Sequence, residues 1–495
     1  MNGSSKRKAQ NSIPKSPLTP PFAKGGCGGI FVIFLLTFAM PLSANPPPLP
    51  TFPPLEFHPP QPQRVVLDNG LVIFLLEDHE LPLIRLYTVY RAGSQYDSPA
   101  KLGLSGIFGE VLSEGGSQSH TPEEIEKSLD RAAAEIQFSV SLENGGGSMR
   151  CRTADFDQIF GLFTDLFLHP QFRKDFVELS KVKSLEALRR MNDDPAEVAR
   201  REFRGVIYGK DHPYARIPSP TTLDRIKRDD LLAMHTYYLH PNSTLIAVSG
   251  DFQSTAMIAK LKQAFGSWPR MEVTLPSVAP VNAASQRALY YIQRPINQSQ
   301  IRIGHLGLER HNPDHFAWEV FNELWGGSGT SLLFRTVRTQ QGLAYSVGSG
   351  FSEPAQKGLI VAVSQTRGSQ TIAAVQSMLA ITREASAAPF TPKEINEAKE
   401  AIRNRFIENY TSSAQIATEV MSNEYFGFPK DYLDTYTQKI AQVTGDDLRR
   451  AAKTYLHPDE STILIMGDLS TFEKPMSTLG KPQEIKLIDY AQEAP

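Results

Sequence analysis

An internal repeat constrains the fold of this 495-residue sequence more than any other feature. Residues 238–251 read YLHPNSTLIAVSGD, and residues 455–468 read YLHPDESTILIMGD without a gap. The offset from His240 to His457 is 217 residues, and the same offset joins Asp229-Asp230 to Asp446-Asp447. A repeat of this length is far longer than a solenoid unit and indicates a duplicated domain. The chain is also long enough to build two separate cores.

Each copy of the repeat predicts the same local structure. The paired aspartates suit the first turn of a helix, where the helix dipole favours negative charge. The Leu-His-Pro sequence then ends that helix, and a short apolar strand closes at Gly-Asp. Residues 65–76 predict a hairpin through Asn69-Gly70, and residues 84–89 predict a strand. The interspersed helices and strands predict an α+β fold.

Two further helices carry clear start signals. Thr121-Pro122-Glu123-Glu124 and Thr391-Pro392-Lys393-Glu394 place Thr at the N-cap and Glu three residues later, which is the capping-box arrangement. The glycine-rich segment 144–148 is not followed by Lys-Ser or Lys-Thr, so it does not match a phosphate-binding loop. We interpret it as a flexible turn between strands.

The balance of charges and the cysteines exclude several classes of protein. The chain has 51 basic and 53 acidic residues, a formal net charge of −2, which does not indicate a nucleic-acid partner. Cys27 and Cys151 are far apart in the sequence, so a disulfide framework is excluded.

The N-terminal region predicts export. The apolar run from Ile30 to Met40 follows Lys24 and precedes small residues, as in a secretory signal, and it is too short for a membrane span. An uncleaved N-terminal membrane anchor is the alternative. We therefore expect an extension and signal peptide over 1–44, a Pro-rich tether over 45–62, a first domain over 63–270, a linker over 271–286, a second domain over 287–480 and a tail over 481–495.

Several short motifs, in their order along both halves, give the sequence a family resemblance. They are LDNGL at 67–71, RAGS at 91–94, GLS at 103–105, DHPY at 211–214 and GLAYS at 342–346. Together with the duplication, they resemble the insulinase/pitrilysin zinc peptidases, in the processing-peptidase-like branch, over residues 63 to 480. The resemblance implies two homologous domains, each an antiparallel-rich sheet with helices on one face, arranged as a clamshell.

The resemblance also implies where a zinc site would be, and the sequence departs from it there. Active relatives carry His-x-x-Glu-His on a helix of the first domain and a third ligand, Glu, on a later helix. Here Gly106 and Glu110 stand at the histidine positions, and Gly109 stands at the position of the catalytic base. Ala187 stands at the third position, beside Glu186. We therefore expect this chain to bind no metal and to have no catalytic residues of its own.

The second half retains a different part of the family pattern. In relatives, an Arg and a Tyr at the places of Arg338 and Tyr345 face the zinc centre and bind substrate backbone or the developing oxyanion. A guanidinium and a phenol both donate hydrogen bonds where negative charge accumulates. The alternative is a surface salt-bridge arginine and a core tyrosine.

These features lead to one main hypothesis and two alternatives. The main hypothesis is a non-catalytic, periplasmic subunit of a zinc endopeptidase, which binds a homologous zinc-motif chain and helps it to cleave unfolded peptides. Zinc is expected in the partner chain only. The alternatives are an inert scaffold and a peptide-binding protein that pairs extended chains with its strand edges.

Overall fold

A computed structural model of the protein describes residues 57–281, 287–387 and 390–492. The predicted signal peptide, most of the predicted tether and part of the linker lie outside these residues. The described residues belong to one compact unit, in which both predicted domains lie. In the described part of the chain, no helix combines the length and the apolar character that crossing a membrane requires.

The first half contains one sheet and a set of helices. Its strands are β1 (Gln63–Val66), β2 (Val72–Glu77), β3 (Leu83–Tyr90), β4 (Glu135–Val140), β5 (Gly145–Arg152) and β6 (Thr244–Gly250). Its helices are α1 (Leu104–Glu114), α2 (Pro122–Ala132), α3 (Phe156–Leu168), α4 (Lys174–Arg189), α5 (Pro195–Tyr208), α6 (Pro220–Asp224), α7 (Arg228–Tyr238) and α8 (Ser254–Phe265). The predicted hairpin is β1–β2, and the strand predicted near residue 84 is β3.

The second half repeats this plan. Its strands are β7 (Ala288–Gln293), β8 (Gln298–Leu306), β9 (Ser346–Phe351), β10 (Leu359–Arg367), β11 (Thr462–Gly467) and β12 (Pro482–Glu484). Its helices are α9 (His315–Asn322), α10 (Thr371–Ser386), α11 (Pro392–Glu408), α12 (Ser413–Phe426), α13 (Tyr432–Gln442) and α14 (Gly445–Tyr455). Two π-helical turns, Glu323–Gly327 and Phe334–Gln340, follow α9.

Five of the six strands in each sheet share one topology, which confirms the duplication; the outermost strands differ, since β1 is antiparallel to β2 and β12 is parallel to β7. The strand orders of the two sheets are β1-β2-β6-β3-β5-β4 and β12-β7-β11-β8-β10-β9. Strands β6 and β11, which lie in the 217-residue repeat, are equivalent in the two sheets. Each pairs in parallel with one neighbour, as β2–β6 and β7–β11, and antiparallel with the other, as β6–β3 and β11–β8. The strands of the 217-residue repeat, β6 and β11, therefore occupy equivalent central positions, and each sheet is rich in antiparallel pairs, as predicted.

Helices cover both faces of each sheet, because the halves exchange one helix. On β2, Ile73 and Leu75 join the core formed with the helices of the first half, whereas Phe74 and Leu76 join the core of the second half. This alternation follows from the two-residue period of a strand. Helix α12 contacts β6, β2 and β3, and its counterpart α5 contacts β8 and β11. The fold thus adds a helix from the other half to the predicted helices on one face.

The glycine-rich segment 144–148 is not the flexible turn that the sequence suggested. Gly145 to Gly147 begin strand β5 and pair with β3 and β4. A Cβ on Gly145 would lie 2.1 Å from the Tyr90 ring, and one on Gly147 would lie 2.5 Å from the Phe138 ring. The glycines therefore make room for buried aromatic rings, a role that sequence composition does not distinguish from a turn.

Segments before the first predicted domain and after the second predicted domain pack onto the folded structure. Pro482–Glu484 forms an edge strand on β7, so the predicted tail begins as part of the second sheet. Tyr490 donates a hydrogen bond to buried Glu202 on α5, at 3.2 Å. At the other end, the Phe57 ring lies 5.3 Å from the Phe406 ring. Residues near both predicted boundaries thus contribute to the packed structure.

Both predicted capping boxes are formed, and one of them predicts a pH effect. The Glu394 carboxylate accepts hydrogen bonds from the backbone N–H of Thr391 at 2.9 Å and from Arg335 at 2.7 Å, which hold its pKa at about 2. Its folded pKa is below the unfolded one, so it stabilises the fold above about pH 4.5 and less as pH falls toward 2. Glu394→Gln should cost about 1 kcal/mol at pH 6 and less at pH 3.5, measured by urea unfolding.

The other capping box supplies the control for this prediction. Glu124 accepts the same backbone hydrogen bond from Thr121 at 2.9 Å, but its carboxylate has no arginine partner among the described residues. Glu124→Gln should therefore show a smaller loss at pH 6. Equal losses for Glu394→Gln at both pH values would contradict the predicted role of the ionised carboxylate.

Candidate functional site

The helix expected to hold the zinc motif, α1, is present and packs against the edge strand β4. Ile107 and Phe108 anchor its buried face in the core of the first half. Gly109, at the position of the family's catalytic base, is buried: a Cβ there would lie 2.9 Å from the Cα of Ser139 on β4. Gly106 is exposed, and a Cβ there would have no neighbour within 4 Å in the part of the chain that the structure describes. The two glycines thus differ, since Gly109 permits close helix–strand packing.

Glu110 is held by side chains of helix α4. One carboxylate oxygen accepts a hydrogen bond from the buried Ser180 hydroxyl at 2.5 Å, and the other lies 2.7 Å from the Lys183 ammonium. Lys183 also contacts Glu114, one turn further along α1, at 2.8 Å. These two pairs raise the pKa of Lys183 and so favour its protonated form. The sequence analysis missed Ser180 and Lys183, although their spacing of three residues indicated one helix face.

The predicted third position lies on the same helix. Ala187 is exposed and follows Lys183 by four residues, so it continues the stripe of α4 that faces Glu110. The neighbouring Glu186 pairs with Arg189 instead. Within residues 57–281, 287–387 and 390–492, no group of three or more His, Cys, Asp or Glu side chains is placed to hold a metal ion.

A cleft of about 850 Å³ extends from these positions along strand β4. Gly106 and Glu110 line one side, and helix α2 and strand β4 line the others. Because β4 is an edge strand, its outer backbone groups face this cleft. The Ser113 hydroxyl bonds both backbone groups of Phe138, donating to its carbonyl at 3.2 Å and accepting from its N–H at 2.7 Å. Ser113 therefore occupies the middle of this edge.

Arg338 and Tyr345 lie on the second half, and both are exposed. Arg338 lies in the π-helical turn Phe334–Gln340, with its guanidinium carbon 4.6 Å from the centre of the Phe334 ring. Gly342, at φ +63°, then reverses the chain, and the Tyr345 N–H donates to the Gln365 carbonyl at 2.8 Å. The Tyr345 side chain is 70% exposed at the start of edge strand β9. The interpretation of Tyr345 as a core residue is therefore wrong.

The two glycines of α1 make a testable pair. Gly109→Glu should destabilise the fold by about 1–3 kcal/mol or more, because the new side chain meets the β4 backbone. Gly106→His should leave stability unchanged or raise it by a few tenths of a kcal/mol, since the position is open and glycine is a poor helix former. Urea unfolding of both variants checks this. Equal stabilities would show that packing at Ser139 does not limit position 109.

Comparisons with known proteins agree with this architecture. The family model for insulinase (peptidase family M16) matches residues 82–213, and the model for the peptidase M16 inactive domain matches residues 225–402. The chain is 22% identical over 408 residues to "Uncharacterized zinc protease SCO5738" of Streptomyces coelicolor, covering 80% of this chain and 87% of that protein. It is also 22% identical over 398 residues to "Non-peptidase homolog YmxG" of Helicobacter pylori, covering 79% and 90%.

Solved structures include the same fold. The crystal structure of a peptidase M16 inactive domain from Pseudomonas fluorescens matches with a TM-score of 0.75 and 22% identity, covering 84% of this chain and all of that one. The two family models match two separate stretches, the second of which runs from α7 of the first half into the second half, and together they span more than half of the chain. This chain is therefore a peptidase-like member of the insulinase (M16) family.

Proposed function

We propose that this protein is the non-catalytic subunit of an exported M16-type zinc endopeptidase. It binds a homologous chain that carries the zinc motif, and it contributes Arg338 and Tyr345 to the site where unfolded peptides are cleaved. The partner supplies zinc, the attacking water and the general base. Export to the periplasm rests on the apolar run from Ile30 to Met40 and its flanking residues.

The observation that carries this proposal is the exposure of both Arg338 and Tyr345, on the π-helical turn and just before strand β9. The Tyr345 backbone is bonded to β10, and the Arg338 side chain rests on the Phe334 ring. The Arg338 guanidinium is therefore positioned before any ligand arrives, and the Tyr345 backbone fixes the place from which its phenol extends; donors placed in advance are what stabilisation of an oxyanion requires. An exposed tyrosine has no packing role that would explain its place.

The side chains at the zinc-motif positions of the first half support a non-catalytic role. Zinc in hydrolytic sites takes about three protein ligands, including imidazole nitrogen. At the motif positions this chain offers one carboxylate, Glu110, which Ser180 and Lys183 already engage. The residues present do not fit a catalytic zinc ion, so the proposal assigns the ion to the partner subunit.

A peptide-binding protein without any peptidase partner is the second candidate. The observation that favours it is the cleft of about 850 Å³ along edge strand β4. An extended peptide can add to a sheet edge through main-chain hydrogen bonds, and at β4 it would have to displace Ser113 from the Phe138 backbone. An inert scaffold of the same fold is the remaining alternative.

Reconstitution with a zinc-motif chain tests the proposal. The full chain, a neighbouring-gene product with intact His-x-x-Glu-His and their mixture are each assayed for zinc content and for cleavage of a fluorogenic unfolded peptide. Activity that requires both chains supports the proposal. Zinc-dependent cleavage by this chain alone would overturn it. An inert mixture with retained peptide binding would favour the peptide-binding alternative, and an inert mixture without binding would favour the scaffold.

A further inference from the structure

A second cleft, of about 580 Å³, lies beside the turn between α4 and α5, and we call it the arginine cleft. Five arginines line it against two carboxylates, Asp194 and Glu197: Arg190, Arg200, Arg201, Arg204 and Arg216. Its lining therefore carries an excess of positive charge. No family motif identified in the sequence falls on these arginines.

The carboxylates of this region are already engaged. Asp194 caps helix α5 by accepting hydrogen bonds from the backbone N–H groups of Ala196 at 2.8 Å and Glu197 at 3.3 Å. Glu197 accepts from the Arg200 side chain at 2.8 Å. Arg201 pairs with buried Glu202 at 3.0 Å. Two of the five arginines thus have carboxylate partners, whereas Arg190, Arg204 and Arg216 form no ion pair with any described residue.

Among the described residues, the side chains of Arg204 and Arg216 donate hydrogen bonds to main-chain carbonyls only. Arg204 donates to the carbonyl of Tyr214, and Arg216 donates to the carbonyl of Gln95 at 3.0 Å. The Nε of Arg216 is buried and has no hydrogen-bond acceptor. A guanidinium has five N–H donors, so most donors of both side chains are left for another group.

The electrostatics of these two side chains agree with their geometry. Burial lowers the pKa of Arg204, and the nearby positive charge of Arg200 lowers it further. Burial also lowers the pKa of Arg216, an effect that Asp97 partly opposes. Asp97 accepts hydrogen bonds from Ser105 and Gly103 and forms no ion pair with Arg216 among the described residues, so it compensates that charge only in part. Partly buried positive charge with an incomplete counter-charge is costly, and a bound anion would offset that cost.

We propose that the arginine cleft binds an oxyanion, and that this oxyanion is a carboxylate of a peptide. Guanidinium groups pair with carboxylate and phosphate through two parallel hydrogen bonds. Met191, Tyr214 and Ile217 add apolar wall, and the volume is that of a pocket for an organic ligand rather than for a lone ion.

The position of the cleft favours a peptide as the source of the carboxylate. Arg190 follows Ala187 by three residues at the end of α4, so one arginine of the cleft lies about one helical turn from one position of the degenerate zinc motif. This choice of ligand rests on the proposed function, whereas the oxyanion chemistry rests on the arginines alone.

Anion-dependent stability tests the oxyanion site. The thermal midpoint of the full chain is measured against inorganic phosphate, with chloride added to keep ionic strength constant, for wild type and for Arg190→Gln, Arg204→Gln and Arg216→Gln. The matched control is Arg189→Gln, because Arg189 is on the same turn but pairs with Glu186 outside the cleft. Phosphate should stabilise wild type and control alike, because an anion that binds only the folded state raises its stability.

The variants decide whether the stabilisation belongs to this cleft. Each cleft variant should require about tenfold more phosphate for the same stabilisation, which corresponds to one charge-assisted pair. Arg190→Gln keeps the test valid if Arg204→Gln fails to fold, since Arg190 is exposed and has no side-chain hydrogen bond in the described residues. Equal stabilisation of all variants and the control, or none in wild type, would overturn the oxyanion site.

Peptides test the source of the oxyanion. A fluorescent acidic peptide is compared, by anisotropy at constant salt, with the same sequence bearing Gln for Glu and Asp and a C-terminal amide. The acidic form should bind about tenfold or more tightly, and phosphate should displace it. Stabilisation by phosphate without this preference would overturn the peptide assignment. The reconstitution assay with the zinc-motif chain is independent of these measurements. Its failure would reject the proposed subunit role, whereas phosphate stabilisation that depends on the cleft arginines would still support the oxyanion site.

Discussion

Arg338→Ala should lower kcat of the reconstituted peptidase by about 100-fold to 1000-fold, the range found when one oxyanion donor is removed. The Arg338 side chain rests on the Phe334 ring, so the truncation removes a positioned cation. Tyr345→Phe should have a smaller effect in the same direction, since it removes one hydroxyl from a largely exposed ring. The measurement is kcat and KM of the mixture with a fluorogenic peptide.

Matched substitutions separate catalysis from assembly. Arg152→Ala removes an exposed arginine that pairs with Asp155, and Tyr237→Phe removes an exposed hydroxyl that donates to the Thr274 carbonyl. Both controls should leave kcat within about twofold of wild type. Affinity between the two chains should stay unchanged in Arg338→Ala. If the loss of activity in Arg338→Ala were explained entirely by weaker binding between the two chains, that result would contradict a role of Arg338 at the reacting carbonyl.

The sequence predicted the fold well because duplication and local signals agree. The 217-residue offset identified β6 and β11, which occupy equivalent places in the two sheets. The Thr121 and Thr391 capping boxes depend only on neighbouring residues, so they were predictable. The exchange of α5 and α12 between the halves was not predictable, because the amphipathic pattern of a helix does not indicate which sheet the helix covers.

Predictions at the site were limited by long-range contacts. The sequence identified Glu110 and Ala187 as positions of interest, but Ser180 and Lys183, which lie on α4 with Ala187 and contact Glu110 on α1, carry no motif. The glycines of 144–148 suggested a turn, although their role depends on the Tyr90 and Phe138 rings across the sheet. The arginine cleft likewise gathers side chains from α4, α5 and the loop after it, so no short pattern in the sequence marks it.

The second prediction of large effect concerns an ion pair between the halves. Glu143, in the turn after β4, pairs with Arg310, in the loop after β8, and their side chains are 14% and 17% exposed. Glu143 also accepts from the backbone N–H of Ala355 at 2.7 Å, and the guanidinium carbon of Arg310 lies 4.1 Å from the centre of the Phe426 ring. Each charge is thus desolvated and compensated mainly by the other.

Arg310→Ala should therefore lower the free energy of unfolding by about 3–5 kcal/mol, because it leaves the Glu143 carboxylate largely buried without its counter-charge. Glu143→Ala should also destabilise, and the double variant should lose less than the sum of the two single losses, since the unpaired charge is then gone. Arg150→Ala, which breaks the exposed pair with Glu135, should cost less than about 1 kcal/mol. Urea unfolding of the four variants measures these differences, and additive losses at 143 and 310 would show that the two side chains stabilise the halves independently.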